Sequence, residues 1–260
     1  MTPTSQHGET PSPAPKTLTT QDGETLAYHH VPGRQPGILF CGGFMSDMTG
    51  TKALALEALA RARGQAFTRF DYRGHGQSSG AFRDGTIGLW RSDALAIFDA
   101  VTDGPVIVVG SSMGGWIALL LALARPERVA GLVGIAAAPD FTEDLMWAEF
   151  DETVRRALTT ERVYLEPSEY SEEPYTITMD LIEEGRNHLI MRGPIPIAAP
   201  VRLLHGMRDT SVPHRLSVLL AERLETDDVQ VHLVKDGDHR LSTERDLALL
   251  AGAVAELSGG

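Results

Sequence analysis

The sequence predicts an α/β fold: a mostly parallel central sheet, helices on both faces, and a helical cap inserted late in the chain. Three observations carry this. Continuous β-branched runs such as Val106–Val109 recur between amphipathic stretches such as Gly85–Thr102. Continuous apolar runs mark strands buried on both faces, as parallel strands are. The run Val106–Gly110 enters a Gly-x-Ser-x-Gly and continues into the apolar stretch Ile117–Ala124, which reads as strand, sharp turn, helix. Finally, the alternation stops between Asp140 and Pro194 and then resumes, as an insertion between two core strands requires.

The bulk composition fits that class. The chain has 260 residues, 42% of them apolar and 22% charged, as in a soluble globular protein. Its formal net charge of −12 repels phosphate backbones, so no nucleic-acid partner is expected. No apolar run reaches the roughly 18 residues that span a bilayer, so no stable membrane insertion is expected. The single cysteine, Cys41, excludes an internal disulfide and a cysteine-based metal site. No cofactor and no metal are expected, because no His or carboxylate cluster has ligand spacing.

Residues 1–19 are rich in Pro, Thr and Ser, and are expected to stay a disordered tail. They lack the apolar segment of a secretory signal. They also lack arginine and contain Glu9, unlike a transit peptide, so a cytoplasmic location is expected. The core then spans 20–139 and 195–260, with the cap at 140–194. Nothing in the sequence sets the oligomeric state.

In order, Leu26–Val31 reads as a short strand closed by Pro32-Gly33. Gly37–Cys41 is a buried strand ending in Gly42-Gly43-Phe44. Thr51–Arg63 is a helix stopped by Gly64. Ala66–Phe70 is a strand, followed by the glycine-rich loop Asp71–Ser78, in which Asp71 and Arg73 brace neighbouring loops. Gly85–Thr102 is an amphipathic helix. The helix after Ser112 ends at Pro126, and Val129–Ala136 is another buried strand. The cap segment is acidic, with Leu145, Met146, Trp147, Phe150, Tyr164, Tyr170, Tyr175 and Met179 interspersed. Met146, Trp147 and Phe150 are candidates to line an acyl-chain groove, or else to pack cap onto core. Pro200–Pro213 is a late strand followed by a loop, Leu216–Leu224 a helix, Val229–Val234 the last strand and Leu241–Leu257 the terminal helix.

Between a buried strand and a helix, Gly110-Ser111-Ser112-Met113-Gly114 resembles the nucleophile elbow of the α/β-hydrolase fold. The turn strains Ser112 and exposes its hydroxyl, while Gly110 and Gly114 leave room for strand and helix to approach. That fold orders its site residues as serine, acid, histidine. Asp209, in His205-Gly-Met-Arg-Asp209, follows a late strand and is the acid candidate. His239, in Gly237-Asp-His239, follows the last strand and is the base candidate. His205 reads as a structural hydrogen-bonder, Asp236 and Asp238 as turn formers. His75 precedes the serine and falls outside the order. Cys41 reads as a buried small apolar residue. The backbone N–H groups of Phe44 and Met113 are the candidate oxyanion hole. A serine rather than an aspartate at position 112 argues against dehalogenase and epoxide hydrolase chemistry.

Further motifs carry a closer resemblance. Ser46–Ala55, Arg69-Phe-Asp-Tyr72, Gly74–Ser78, Val109–Trp116, Tyr170–Glu173, Pro194–Ile197, Arg202–Asp209 and Asp238-His-Arg240 are similar to those of one α/β-hydrolase-domain group. Its animal member is a mitochondrial palmitoyl-protein thioesterase, and it includes acyl-glucuronide esterase activity. The similarity spans residues 36–256 and includes the cap. It implies the same three residues, Ser112, Asp209 and His239, and hydrolysis of long-chain thioesters or activated acyl esters. Gly42 departs from it, standing where the animal form is expected to carry proline. The expected activity is thus that of a serine esterase or thioesterase, an EC 3.1 hydrolase acting on an acylated small molecule or an S-acylated protein. The alternatives are an acyltransferase or C–C bond hydrolase on the same residues, or a non-catalytic ligand-binding version of the fold.

Overall fold

The computed structural model describes residues 14–166 and 174–259. The strands and helices are β1 (Lys16–Thr19), β2 (Thr25–Val31), β3 (Arg34–Cys41), α1 (Thr51–Arg63), β4 (Gln65–Phe70), α2 (Ile87–Val101), β5 (Val106–Ser111), α3 (Met113–Ala124) and β6 (Val129–Ile135). Then come α4 (Glu152–Glu161), β7 (Val163–Glu166), β8 (Tyr175–Thr178), α5 (Met179–Gly185), β9 (Val201–Gly206), α6 (Arg215–Arg223), β10 (Val229–Val234) and α7 (Glu244–Leu257). The main sheet is eight-stranded, in the order β1-β2-β4-β3-β5-β6-β9-β10. The β1–β2 and β2–β4 pairs are antiparallel, and the rest are parallel.

Strand β5 shows why the continuous apolar run was needed. Val106 and Val108 face the cluster built on α2, α3 and α6, whereas Ile107 and Val109 face the one built on α1 and α7. Every position of β5 is buried, so both pleat faces must be apolar.

The boundaries differ from expectation at the ends of elements. Of the expected disordered tail, residues 1–13 lie outside the described residues, but Lys16–Thr19 is strand β1. It pairs with β2 from Lys16 opposite Tyr28 to Thr19 opposite Thr25, and Leu18 packs on the core. A partner strand supplies the burial that the segment lacks by itself. Helix α7 starts at Glu244, later than expected, because Thr243 and Asp246 form a capping box.

The inserted cap is not all helical. It holds α4, α5, a π-helical turn at Thr142–Trp147 and the antiparallel pair β7–β8. Val163-Tyr-Leu and Tyr175-Thr-Ile-Thr carry the β-branched and aromatic residues that favour strands, a local signal hidden within an acidic stretch. Tyr170–Glu173, quoted for the resemblance, lies outside the described residues. The carboxylate of Asp140 joins the cap's stems, accepting hydrogen bonds from the amides of Ile190 (2.8 Å) and Met191 (2.9 Å).

Candidate active site

Ser112 sits between β5 and α3 at φ 54°, ψ −120°, a region an L-residue adopts only when its surroundings force it. Two glycines make the turn possible. A Cβ on Gly110 would lie 2.2 Å from the Gly114 carbonyl oxygen, and one on Gly114 would lie 2.1 Å from that of Cys41. The Ser112 hydroxyl donates to Nε2 of His239 at 3.2 Å. Nδ1–H of His239 donates to Oδ2 of Asp209 at 2.7 Å. Three residues far apart in sequence, each just beyond a strand's C-terminal end, thus form one hydrogen-bonded file.

Each is held by its own loop. Oδ1 of Asp209 accepts the amides of Ser211 (2.9 Å) and Val212 (2.8 Å), and Oδ2 also accepts Nε2–H of His205 at 3.1 Å. Burial alone would raise the Asp209 carboxyl, but the hydrogen bonds from His205 and His239 outweigh it and hold it well below the usual carboxylate range. The loop bearing His239 is folded by Asp238, whose Oδ1 accepts the amides of Arg240 and Leu241, each at 3.0 Å. Lys52, at the start of α1, donates to the Arg240 carbonyl at 2.6 Å. Burial there pushes its amine down to about 8.

The turn after β3 lies beside the serine. A Cβ on Gly43 would be 3.5 Å from Cβ of Ser112. Among the described residues, no acceptor takes the N–H of Phe44 or that of Met113, the first residue of α3. The side chain of Phe44, assigned no weight in the sequence, is the centre of an aromatic cluster. Its ring lies 4.9 Å from Phe82, 5.9 Å from Trp90, 6.0 Å from Phe141 and 5.9 Å from Tyr175. The first two belong to the core and the last two to the cap. The amphipathic pattern of α2 placed Trp90 inside, but nothing local in the sequence brings Phe141 and Tyr175 to Phe44.

The three cap candidates divide. Met146 packs against both the main core and the cap's own apolar cluster. Trp147 and Phe150 pack on that cap cluster, around Leu158, Ile177, Met179 and Ile182. Arg155 and Arg186 lie over the Trp147 ring at 5.4 and 5.3 Å, and Phe150 stacks edge-on with Tyr164 at 6.5 Å. Trp147 and Phe150 thus pack within the cap's own cluster, and of the three Met146 alone also reaches the main core.

Other sequence candidates fall outside the file. Asp71 accepts the amides of Met48 and Gln77, and Arg73 forms a two-pronged pair with Asp93, so both brace loops. His75 is buried among Tyr72, Phe82 and Trp90, and burial pushes its imidazole down to about 4. Cys41 is fully buried, which pushes its thiol up to about 12. Among the described residues no group of three or more His, Cys, Asp or Glu could hold a metal ion, and no helix is long and apolar enough to cross a membrane.

A family model described as the alpha/beta hydrolase fold matches residues 36–162. Human mitochondrial palmitoyl-protein thioesterase ABHD10 is 42% identical over 241 residues, covering 92% of this chain and 78% of that protein. The chain belongs to the α/β-hydrolase family. Among solved structures, this α/β-hydrolase resembles a putative hydrolase from Agrobacterium vitis S4 with a TM-score of 0.91 and 42% identity, covering 94% of this chain and 98% of that one. Alpha/beta hydrolase domain-containing protein 10 from mouse gives a TM-score of 0.88 at 40% identity, with coverage of 94% and 98%. The group suggested by the sequence motifs is thus the one these relatives represent, and at family level the chain is related to esterases and thioesterases. One expectation is overturned. The ABHD10 relatives from human, cattle and orangutan are all named mitochondrial, which contradicts the cytoplasmic location read from residues 1–19. The composition of a short leading stretch was too weak a basis for a location.

Proposed function

We propose that this α/β-hydrolase is a serine hydrolase that cleaves acyl thioesters or carboxylic esters through an acyl-enzyme on Ser112. The observation that carries this is the file Ser112–His239–Asp209, with its hydrogen bonds of 3.2 and 2.7 Å. A serine hydroxyl is a weak nucleophile until a base takes its proton. Nε2 of His239 is placed for that, and Asp209 fixes the tautomer and stabilises the imidazolium. Ser112 Oγ attacks the acyl carbonyl carbon, and the resulting oxyanion receives the N–H groups of Phe44 and Met113. Such a donor is typically worth ~10²–10³ in kcat. Collapse expels the thiol or alcohol, which takes its proton from His239. Water then attacks the acyl carbonyl carbon, giving a proton to His239; the bond to Ser112 Oγ breaks, Oγ takes that proton back, and the carboxylic acid leaves.

The relatives named palmitoyl-protein thioesterase support a long acyl chain as the group transferred. The aromatic cluster around Phe44 offers apolar walls for it, beside the oxyanion loop. The test is a panel of 4-nitrophenyl esters from acetyl to palmitoyl with a palmitoyl thioester alongside. We expect turnover that favours the longer chains and falls by at least about 10⁴-fold in Ser112→Ala. Equal turnover by Ser112→Ala, or none by the unaltered protein, overturns the serine-hydrolase reading. A sharp preference for acetyl overturns the long-chain part of it.

A further inference from the structure

Asp209 serves two imidazoles, not one. Its Oδ2 accepts Nδ1–H of His239 at 2.7 Å and Nε2–H of His205 at 3.1 Å. Nε2 of His205 also lies 3.0 Å from the Val212 carbonyl oxygen. Both neighbours of that nitrogen can only accept, so Nε2 must carry a hydrogen. The other nitrogen, Nδ1, lies 2.7 Å from the Ser217 hydroxyl on α6, which satisfies it by donating. His205 and the Asp209 side chain are completely buried, and Ser217 is nearly so. A surface histidine could turn away or trade partners with water, whereas this one is locked by three protein groups.

We propose that His205, oriented by Ser217, is a positioning residue that competes with His239 for the same Asp209 oxygen and so limits how tightly the carboxylate holds the His239 proton. The inference rests on the proposed roles of Ser112, His239 and Asp209. The physical reason is simple. A carboxylate oxygen that already accepts one hydrogen bond has less electron density to offer a second donor. His205 thereby moderates the pull of Asp209 on His239, the base proposed for the Ser112 proton. Ser217 matters because a hydroxyl donating to one ring nitrogen strengthens the N–H on the other.

Among the described residues, the neighbouring charged groups are turned to partners of their own. Asp238 is turned to the amides of its own loop, and Asp236 pairs with Arg245. Lys52 reaches the Arg240 carbonyl from α1, and Ser112 is the partner of His239 on the elbow. From its own loop Asp209 receives the amides of Ser211 and Val212 on Oδ1. None of these shares Oδ2 with His239, so His205 can be varied with the other contacts kept.

The experiment measures the His239 titration in two ways on the full chain: by NMR of labelled imidazoles, assigned with His239→Gln, and by the acid limb of kcat/KM for a 4-nitrophenyl ester. His205→Leu removes the shared donor and is expected to raise the His239 midpoint by roughly half to one pH unit. His205→Gln restores an N–H at the same reach and is expected to return the midpoint toward that of the unaltered protein. Ser217→Ala is expected to shift it in the same direction as His205→Leu, by less. An unchanged or lowered midpoint in folded His205→Leu overturns the proposal; should that variant fail to fold, an unchanged or lowered midpoint in Ser217→Ala does so. A uniform loss of kcat with no midpoint shift marks a merely structural role and overturns it as well. The NMR arm needs no turnover, so it reads this proposal even where Ser112→Ala has overturned the hydrolase reading.

Discussion

Met191, at the end of the cap, donates its amide to Oδ2 of Asp140, at the cap's beginning, at 2.9 Å across 51 residues. Oδ1 takes the neighbouring Ile190 amide in the same way. One buried carboxylate therefore closes the insertion into a loop on the core. Asp140 holds a left-handed backbone (φ 58°), which aspartate and asparagine tolerate better than most residues. Asp140→Ala would leave the buried Met191 N–H and the partly buried Ile190 N–H without acceptors, at about 1–3 kcal/mol for the first and less for the second. The expected loss is about 2–4 kcal/mol in urea unfolding, with faster proteolysis inside the cap. Asp140→Asn keeps one acceptor and the backbone tolerance, so it should lose about half as much. Equal stability of Asp140→Ala and the unaltered protein would show that the stems are tied elsewhere.

The turn at Ser112 and the loop after β3 make opposite demands on their glycines. A Cβ at Gly114 would collide with the carbonyls of Cys41 and Gly42, at 2.1 and 2.4 Å. These are backbone atoms and cannot swing aside. A Cβ at Gly42 meets nothing closer than Ser46 Cβ at 4.0 Å, so the loop has room for a side chain where the resemblance led us to expect proline. Gly114→Ala is expected to abolish ester turnover or soluble expression. Gly42→Ala is expected to keep kcat/KM within about threefold, since the added methyl group meets no atom closer than ordinary contact distance. A Gly114→Ala protein with normal activity would refute the close approach.

Much of this was legible in the residues, for identifiable reasons. Buried parallel strands need apolar side chains on both faces, so β3, β5, β6 and β9 announced themselves. The elbow is a local event, coded by Gly110, Ser112 and Gly114 within five positions. Asp209 and His239 followed from strand order. The structure brings those three together, with hydrogen bonds to match. What depends on non-local packing was not legible. Phe44 meets Phe141 and Tyr175 only because the cap folds back over the core. Trp147 and Phe150 turn into the cap because its helices and hairpin form a small core of their own, which an apolar count cannot distinguish from a ligand wall. Strand β1 depends on pairing with β2, which composition does not report.

Cys41 ends β3 just before the loop that carries Phe44, so its chemistry bears on the nucleophile proposed at Ser112. Burial keeps the thiol protonated far above neutral pH, at about 12. Only a thiolate alkylates at an appreciable rate. Iodoacetamide at pH 8 is therefore expected to leave the native protein unlabelled and active, while the urea-unfolded chain takes one label per molecule at its single cysteine. A fluorophosphonate should inactivate the native enzyme, and Ser112→Ala should not react with it. Rapid alkylation of the native protein with parallel loss of activity would reassign the nucleophile.

Asp209 also links the site to stability. Its carboxyl is held well below the usual range by His205 and His239, against the opposing effect of burial. A lowered value in the folded state adds stability above the unfolded value of about 3.9, and that stability is lost as pH falls through the folded value. Asp209→Asn removes this contribution. An amide also cannot accept on both sides at once, so either the Ser211 and Val212 amides or the two histidine N–H groups lose their acceptor. The expected result at pH 7 is a loss of at least about 1–3 kcal/mol in urea unfolding. By the behaviour of a serine-protease aspartate changed the same way, kcat should fall by about 10⁴. The contribution of the ionised carboxylate to the gap should persist down to about pH 4 and shrink below that, as the unfolded chain takes up a proton that the folded carboxylate still refuses. A gap that closes already between pH 7 and 5 would mean that Asp209 titrates in that range and is not held ionised by its two histidines.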